Sequence, residues 1–515
     1  MKPIRLIYGF LTVGFWTLMS RILGLLREIL IFGLIGPGPV MDAFVAAFRL
    51  PNMFRRFFAE GAFNAAFVPM FSKKYQAGDD PNGFASDALN GLACVLLGLT
   101  ALAMIFMPLL VWATAGGFGD GTRFDLTISF GRIMFPYIFF ISLAALFSGI
   151  LNASGHFAAA AAAPVLLNIL VIAAMLAATV TGGQMVVYLI WSVPAAGVLQ
   201  LALVWHAARR AGVSLRIGRP RWTRDMRTLV VVAIPAALAN GVMQINLVVG
   251  QQVASGFDNA VGWLYGADRL YQLPLGVVGI AIGIVLLPDL SRKLKARDKT
   301  GARAAFSRAG ELSLALTLPC AVALLMVPLP VVSVLFERGE TSAVDSAAMA
   351  QAVAIYALGL PAFILQKLLQ PLYFAREDTR RPFRYAVVSM VVNAALAIGL
   401  IPVFGWLAPA IATSVAGWAL VALLAFGARS FGDEARFDTR FYQRIWRIVA
   451  ASAAMGAVLY TGHALTEDIF RIAGWRYLAL TVLIGSGLLI YAAAGEVFGA
   501  FKIAEYRAAL RRARP

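Results

Sequence analysis

Eight ionisable side chains fall inside the first two apolar stretches of the chain. Arg21, Arg27 and Glu28 occupy the first, and Asp42, Arg49, Arg55, Arg56 and Glu60 the second. A charge at the centre of a bilayer costs about 3 kcal/mol on insertion scales, so such residues face a bundle interior or a wet cavity. Arginine outnumbers carboxylate in this set. Surplus guanidinium suits an anion, because its planar fork matches phosphate and carboxylate oxygens and stays charged when partly desolvated. Asp268 and Arg269 repeat the theme in a later apolar stretch.

Spacing places these groups more finely. Asp42, Arg49, Arg56 and Glu60 would share one stripe of an unbroken helix, with Arg55 about 100° away. Pro51 lacks a donor and biases Leu50 away from helix, so a kink is expected beside Arg55, with Gly61 a second point of bending. Arg21 and Glu28 share a face of the first helix, and Arg27 adjoins Glu28. The same charges suit two roles. Arg56 with Glu60, or Asp268 with Arg269, could be ion pairs that fix helix packing. The carboxylates of the first half cannot neutralise all its arginines, however, which favours ligand contact for Arg27, Arg55 and Arg269.

The elements that carry them are membrane helices. With 60% hydrophobic and 14% charged residues and a mean hydropathy of +0.79, the chain holds more apolar surface than a soluble core could hide. The fold class expected is an all-α polytopic membrane protein. About fourteen spans are predicted, near residues 6–34, 41–71, 86–114, 126–151, 158–181, 185–208, 229–254, 259–289, 306–336, 346–374, 383–402, 407–428, 445–464 and 475–499. Spans two and eight are depressed in hydropathy by Asp42, Arg49, Asp268 and Arg269. Gly36-Pro37-Gly38-Pro39, Asn152-Ala153-Ser154-Gly155 and Gly182-Gly183 punctuate antiparallel neighbours.

Charge in the connections orients the bundle. Basic residues concentrate at 209–227, 292–303, 376–384, 429–447 and the tail, against Arg123, Arg338, Arg471 and Arg476 on the other side. By the positive-inside rule both termini are cytoplasmic, which requires an even number of spans. An internal repeat divides the chain. Arg49-Leu50, Pro69 and Lys73-Lys74 recur as Arg269-Leu270, Pro288 and Arg292-Lys293, while Pro136 and Asn168 recur as Pro361 and Asn393. Residues 1–212 (spans one to six) and 213–432 (spans seven to twelve) are therefore expected to be two lobes related by a parallel repeat. Residues 433–515 then add spans thirteen and fourteen with a basic cytoplasmic tail. Two lobes around a central cavity imply alternating access.

Several functions are disfavoured. The net charge of +18 comes mostly from loops suited to anionic lipid rather than to nucleic acid. Cys94 and Cys320 lie far apart in apolar runs, and His156, His206 and His463 are scattered, so no catalytic residues, metal site or cofactor is expected. No GxxxxGK[ST] loop marks an ATP-driven pump. The first apolar stretch, with its charges and no cleavage site, is expected to stay as a helix rather than be removed as a signal peptide.

At these residues the chain resembles the MurJ (MviN) lipid II flippases of the multidrug/oligosaccharidyl-lipid/polysaccharide (MOP) exporter superfamily. The resemblance rests on Ser20-Arg21-Ile22-Leu23-Gly24 with Arg27-Glu28, on Asp42-Ala43-Phe44, and on Leu50-Pro51-Asn52 through Arg55-Arg56 to Phe58-Ala59-Glu60-Gly61-Ala62-Phe63. Phe67-Val68-Pro69, Ala267-Asp268-Arg269-Leu270, and Pro274 with Gly276 extend it.

The resemblance implies a transporter of the bacterial inner membrane that serves peptidoglycan biosynthesis, cell wall biogenesis and cell shape. Its cargo would be lipid II, the undecaprenyl-pyrophosphate-linked disaccharide-pentapeptide, with membrane lipids and other cell-wall synthesis proteins as partners. It further implies that Arg21, Arg27, Glu28, Arg55 and Arg269 bind substrate, with Asp42, Arg49, Arg56, Glu60 and Asp268 as cavity or structural charges. Spans thirteen and fourteen, with the apolar faces of residues 451–459 and 478–489, would receive the lipid tail. Some relatives carry a sodium site of carboxylates and carbonyls on spans seven, eleven and twelve. Here those spans offer Asn240, Gln244, Asn246, Gln251, Gln252, Asn393, Thr413 and Ser414 but no acid, which argues against sodium coupling and for interhelical hydrogen bonds. The alternatives are a flippase for another polyprenyl-pyrophosphate glycan, a drug exporter of the same superfamily, and a non-transporting membrane scaffold.

Overall fold

The computed structural model describes residues 3–56, 63–472 and 474–500, and every regular element among them is helical. The helices are α1 (Pro3–Leu34), α2 (Pro39–Arg55), α3 (Asn64–Ala77), α4 (Pro81–Ile105), α5 (Met107–Ala115), α6 (Thr122–Met134), α7 (Tyr137–Ala153), α8 (Phe157–Thr181), α9 (Met185–Arg210), α10 (Arg224–Ala254) and α11 (Ala260–Lys295). They continue as α12 (Lys299–Met326), α13 (Pro328–Phe336), α14 (Ala343–Phe374), α15 (Arg380–Gly399), α16 (Ile401–Phe404), α17 (Ala408–Ala428), α18 (Thr439–Arg471) and α19 (Trp475–Val497). A helix or a broken pair of helices stands at each of the fourteen expected spans. Ten stretches among the described residues are long and apolar enough to cross a membrane. Those carried by α1, α2 with α3, α10 and α11 are not among the ten, and α1, α2 and α11 are the elements that bear the charges singled out above.

Helix ends follow local chemistry. Asp80, Thr223, Asp298 and Asp438 each accept a backbone N–H as N-caps, and Ser342 with Asp345 forms a capping box. Pro51 lies inside α2, which continues as helix to Arg55. The bend expected at Gly61 lies outside the described residues.

The chain forms two compact units, Met1–Gly262 and Trp263–Pro515. In the first, α9 packs against both α7 and α8, and α1 lies along α8. A core that includes Phe67, Phe71, Phe135, Ile138 and Leu146 fills the interior, and Phe63, Phe67, Phe71 and Tyr75 stack along α3 at a spacing of four. The α10 helix packs on α3, α4 and α5. Lys74 joins α3 to α10 through Asp79 (3.0 Å) and Asp225 (3.1 Å). The hydrogen bonds that its ammonium donates to these two carboxylates push it above the usual lysine pKa. In the second unit α17 packs against both α14 and α15, the same arrangement that α9 makes with α7 and α8. The α18–α19 pair is tightly packed, and α18 docks on α12. Outward-facing apolar side chains such as Ile105, Val180, Leu465 and Leu489 are strongly exposed, as lipid contact requires.

Candidate functional site

In the first unit, α8 supplies the residue that organises the charges of α1. Asn168 is buried in a largely apolar helix rich in Ala, Val, Leu and Ile. Its amide nitrogen donates to the Ser20 carbonyl at 2.9 Å, and its amide oxygen accepts from Arg27 Nη1 at 3.0 Å. Arg27 also pairs with Glu28, whose side chain is only 3% exposed. One buried amide thus ties α1 to α8 and fixes the direction of the guanidinium.

Beside this node lies a cavity of about 320 Å³ whose polar lining is Ser20, Arg55, Asn64, Tyr137, Ser148, Asn168 and Gln200. Arg55 comes from the end of α2, Asn64 from the start of α3, and the rest from α1, α7, α8 and α9. Alanines on α7 and α8 complete the wall. Tyr137 donates to Gln200 Oε1 at 3.2 Å, and Gln200 donates to the Ala163 carbonyl at 2.8 Å, so these two are held by each other and by backbone. Gly149 lets α7 approach α3 here: a Cβ at that position would stand 3.0 Å from Val68 and 3.4 Å from Asn64. On α1, Arg21 is half-buried and its Nε has no hydrogen-bond partner. The arrangement is a concave polar site with one cationic donor, Arg55, and no carboxylate in its lining, and with Arg27 held beside it by Asn168, which is chemistry for an anion.

The remaining charges are distributed unequally. Asp42 is fully buried and accepts the Gly262 backbone N–H at 2.8 Å, with Arg123 at 3.5 Å. Arg123 also pairs with Asp258 at 3.0 Å and donates to the Phe257 carbonyl. The segment before α6 is fastened nearby: Gly116 and Gly117 donate to Gln252 and Ser255, and Gln251 donates to the Thr114 carbonyl. Asp42 is therefore a clasp at the start of α2 and does not line the cavity around Arg55. On the expected stripe Arg49 is half-buried and Arg56 exposed, and Glu60 lies outside the described residues.

In the second unit, Arg269 lies 4.4 Å over the Tyr265 ring, and Asp268 accepts from Gln272. Tyr271 packs on Tyr356 and Phe363. Asn393 donates to Thr413 between α15 and α17 at 3.5 Å. Asn393, Gln251 and Gln252 thus each make one of the hydrogen bonds between elements expected of the amides, while Asn246 Oδ1 has no hydrogen-bond partner. Among the described residues there is no group of three His, Cys, Asp or Glu side chains placed to hold a metal ion.

The sequence places Arg123 in a loop and offers Asn168 only as a marker of the repeat. A lone Asn in an apolar 25-residue helix was the available signal, since such a group must find a partner. Nothing in the spacing pointed to Asn64 or Gln200.

A multi-span helical bundle with a buried polar cavity is the architecture of a membrane transporter. Comparison with solved structures agrees: the chain matches a lipid II flippase MurJ in an inward closed conformation with a TM-score of 0.80 at 25% identity, covering 94% of this chain and 98% of that one. An inward-facing multidrug resistance MATE family transporter of the MOP superfamily shares the fold, with a TM-score of 0.70 at 17% identity over 81% of this chain and 95% of that one. The family model for the lipid II flippase MurJ matches residues 31–475. A probable lipid II flippase MurJ of Rhizobium tropici is 44% identical over 99% of this chain and 97% of its own length. The lipid II flippase MurJ of Burkholderia cenocepacia is 34% identical over 78% of this chain and 79% of its own. The chain belongs to the MurJ lipid II flippase family, a family of multi-pass transporters of the bacterial inner membrane rather than of enzymes.

Proposed function

We propose that the protein carries lipid II from the inner to the outer leaflet by alternating access, and that its arginines hold the pyrophosphate. The observation that carries the proposal is the first-unit cavity: Arg55 lines it, and Arg27 is fixed beside it by Asn168, which also lines it. Arg21 and Arg55 would bind phosphate oxygens with Arg27. Arg269 would be the contribution of the later lobe, and Glu28 would set the pose of Arg27. The lobes proposed are residues 1–212 and 213–432, with 433–515 receiving the lipid tail along α18 and α19. Both termini would face the cytoplasm, and other cell-wall synthesis proteins would be partners of the cycle. The membrane potential is a sufficient drive in magnitude, because one charge moved through 100 mV is worth about 2.3 kcal/mol.

The test is leaflet accessibility of lipid II in cells depleted of the native protein. Cells given this chain should display lipid II outside, and cells given the Arg55→Ala variant should not. Equal display with both, at equal protein level, would refute the arginine site. Unchanged display on depletion alone would refute transport.

A further inference from the structure

A second polar pocket lies in the other unit, far in sequence from the arginines of the first. It has a volume of about 400 Å³, within the range of ligand pockets, and is built by α13, α14, α18 and the start of α19. Leu329, Pro330, Ala343, Ala347 and Phe470 make it apolar on one side. Arg476, His463, Glu467, Glu337 and Ser333 make it polar on the other. His463, Glu467 and Phe470 share one face of α18 by their spacing.

Two nitrogens here are buried without a hydrogen-bond partner: His463 Nδ1 and Arg476 Nε. Buried polar atoms left unsatisfied are uncommon, and each costs about 1–3 kcal/mol, so two in one pocket are a reason to look for a ligand. Arg476 is held in place by donating to the Glu337 carbonyl at 2.9 Å and by the Tyr477 ring, 5.3 Å away, over which Arg338 also lies at 5.9 Å. The pocket therefore presents one fixed cation, Arg476, the imidazole of His463, and the acidic residues Glu337 and Glu467 within one small volume.

Its position defines the ligand further. Trp475 and Tyr477 open α19 and are exposed, as aromatic residues are at the level of lipid headgroups. Leu465, Ile469 and Leu478 nearby are exposed apolar side chains suited to acyl chains. A purely anionic headgroup would meet Glu467, and a purely cationic one would meet Arg476. We infer that this pocket binds a phosphoethanolamine group, with the phosphate on Arg476 and His463 and the ammonium on Glu467. A phosphatidylethanolamine lipid is its source in the membrane. Such a ligand would brace α18 and α19 against α13 and α14.

The test uses the purified full-length protein in detergent, with lipid retention read by native mass spectrometry. Added dioctanoyl phosphatidylethanolamine should be retained at one copy in preference to dioctanoyl phosphatidylglycerol. Arg476→Gln should weaken retention of both lipids about tenfold, the loss of one charge-assisted hydrogen bond. Glu467→Gln should weaken only the ethanolamine lipid and so erase the preference, and because Glu467 is exposed this variant keeps the proposal testable if Arg476→Gln misfolds. Soluble glycerophosphoethanolamine retained as tightly as the lipid would keep the headgroup assignment and remove the membrane as its source. Equal retention of the two lipids by the unmodified protein, or a preference that survives Glu467→Gln, would overturn the inference.

Discussion

Arg27→Ala should fail for two separable reasons. Arg27 and Glu28 are 11% and 3% exposed at their side chains, so solvent screens the pair little. Removing the cation leaves the Glu28 carboxylate buried beside a hole, which for a buried pair costs about 3–5 kcal/mol. The hydrogen bond to Asn168 is lost as well; a bond to a charged group is worth about 1.5–3 kcal/mol, but the terms share one network and will not simply add. Arg27→Ala should therefore destabilise the protein by about 3–5 kcal/mol and abolish complementation. In the double variant Arg27→Ala with Glu28→Gln the stranded charge is gone, and about 2 kcal/mol or more of stability should return. Transport should not return, because the pyrophosphate contact is still missing. Denaturant midpoints in detergent read the first quantity, and growth of a depletion strain at matched protein level reads the second. A double variant that recovers both stability and growth would show that Arg27 serves only to neutralise Glu28, and the ligand role assigned to it would fall.

Three further expectations bear on the rest of the molecule. Arg55→Ala and Arg269→Ala should each abolish complementation, with lysine at either position restoring only part of it for want of the bidentate fork; full growth with both alanine variants would remove the anion site. In a background with Cys94→Ala and Cys320→Ala, single cysteines at the exposed positions Asp120, Glu340 and Asp468 should react with an impermeant thiol reagent from outside, and those at Gly218, Lys295 and Asp433 should not; the reversed pattern would invert the orientation. Gly117→Val should lower the denaturation midpoint while Gly121→Ala leaves it unchanged, because a Cβ at 117 would stand 2.4 Å from the Gly256 backbone nitrogen, whereas one at 121 has nothing nearer than 3.8 Å; equal midpoints would show that the segment before α6 is not clasped to the end of α10.

The helices were legible because lipid demands them. Apolar stretches of about 20 residues have no alternative that satisfies their backbone, and the punctuating residues at Gly36, Gly155 and Gly182 do adopt positive φ at the breaks. Intramembrane charge was equally legible as a sign of function, since few residues are dearer to bury. Partner choice was not. Asp42 sits at a spacing of seven from Arg49 and reads as part of one stripe, yet its partners are the Gly262 amide and Arg123, 220 residues and a loop away. Spacing along one helix says which side chains share a face and is silent on what the neighbouring helix brings to that face. Asn168 illustrates the same limit: its burial could be foreseen from its apolar surroundings, but its bonds to Ser20 and Arg27 depend on how α8 lies along α1.

The repeat proposed from sequence bears on the role of those partners. Asn168 and Asn393 stand at matching distances from Pro136 and Pro361, and both are buried. In the first unit the amide reaches the α1 backbone and a guanidinium; in the second it reaches Thr413, a neutral hydroxyl. The helices around them pack alike, α9 on α7 and α8 as α17 on α14 and α15, so the frame is common to both and the charge is not. If arginines served only to hold helices together, a frame used twice would need them twice. Their concentration on α1 and α2, against Arg269 alone at the matching Arg-Leu of α11, is what the proposed anion site would require, with most of the grip in the first unit and one contribution from the second. Gripping an anion is the task proposed for them, and Asn393, whose amide nitrogen reaches only the neutral Thr413 hydroxyl at 3.5 Å while its Oδ1 has no hydrogen-bond partner, lacks the cation that Asn168 holds.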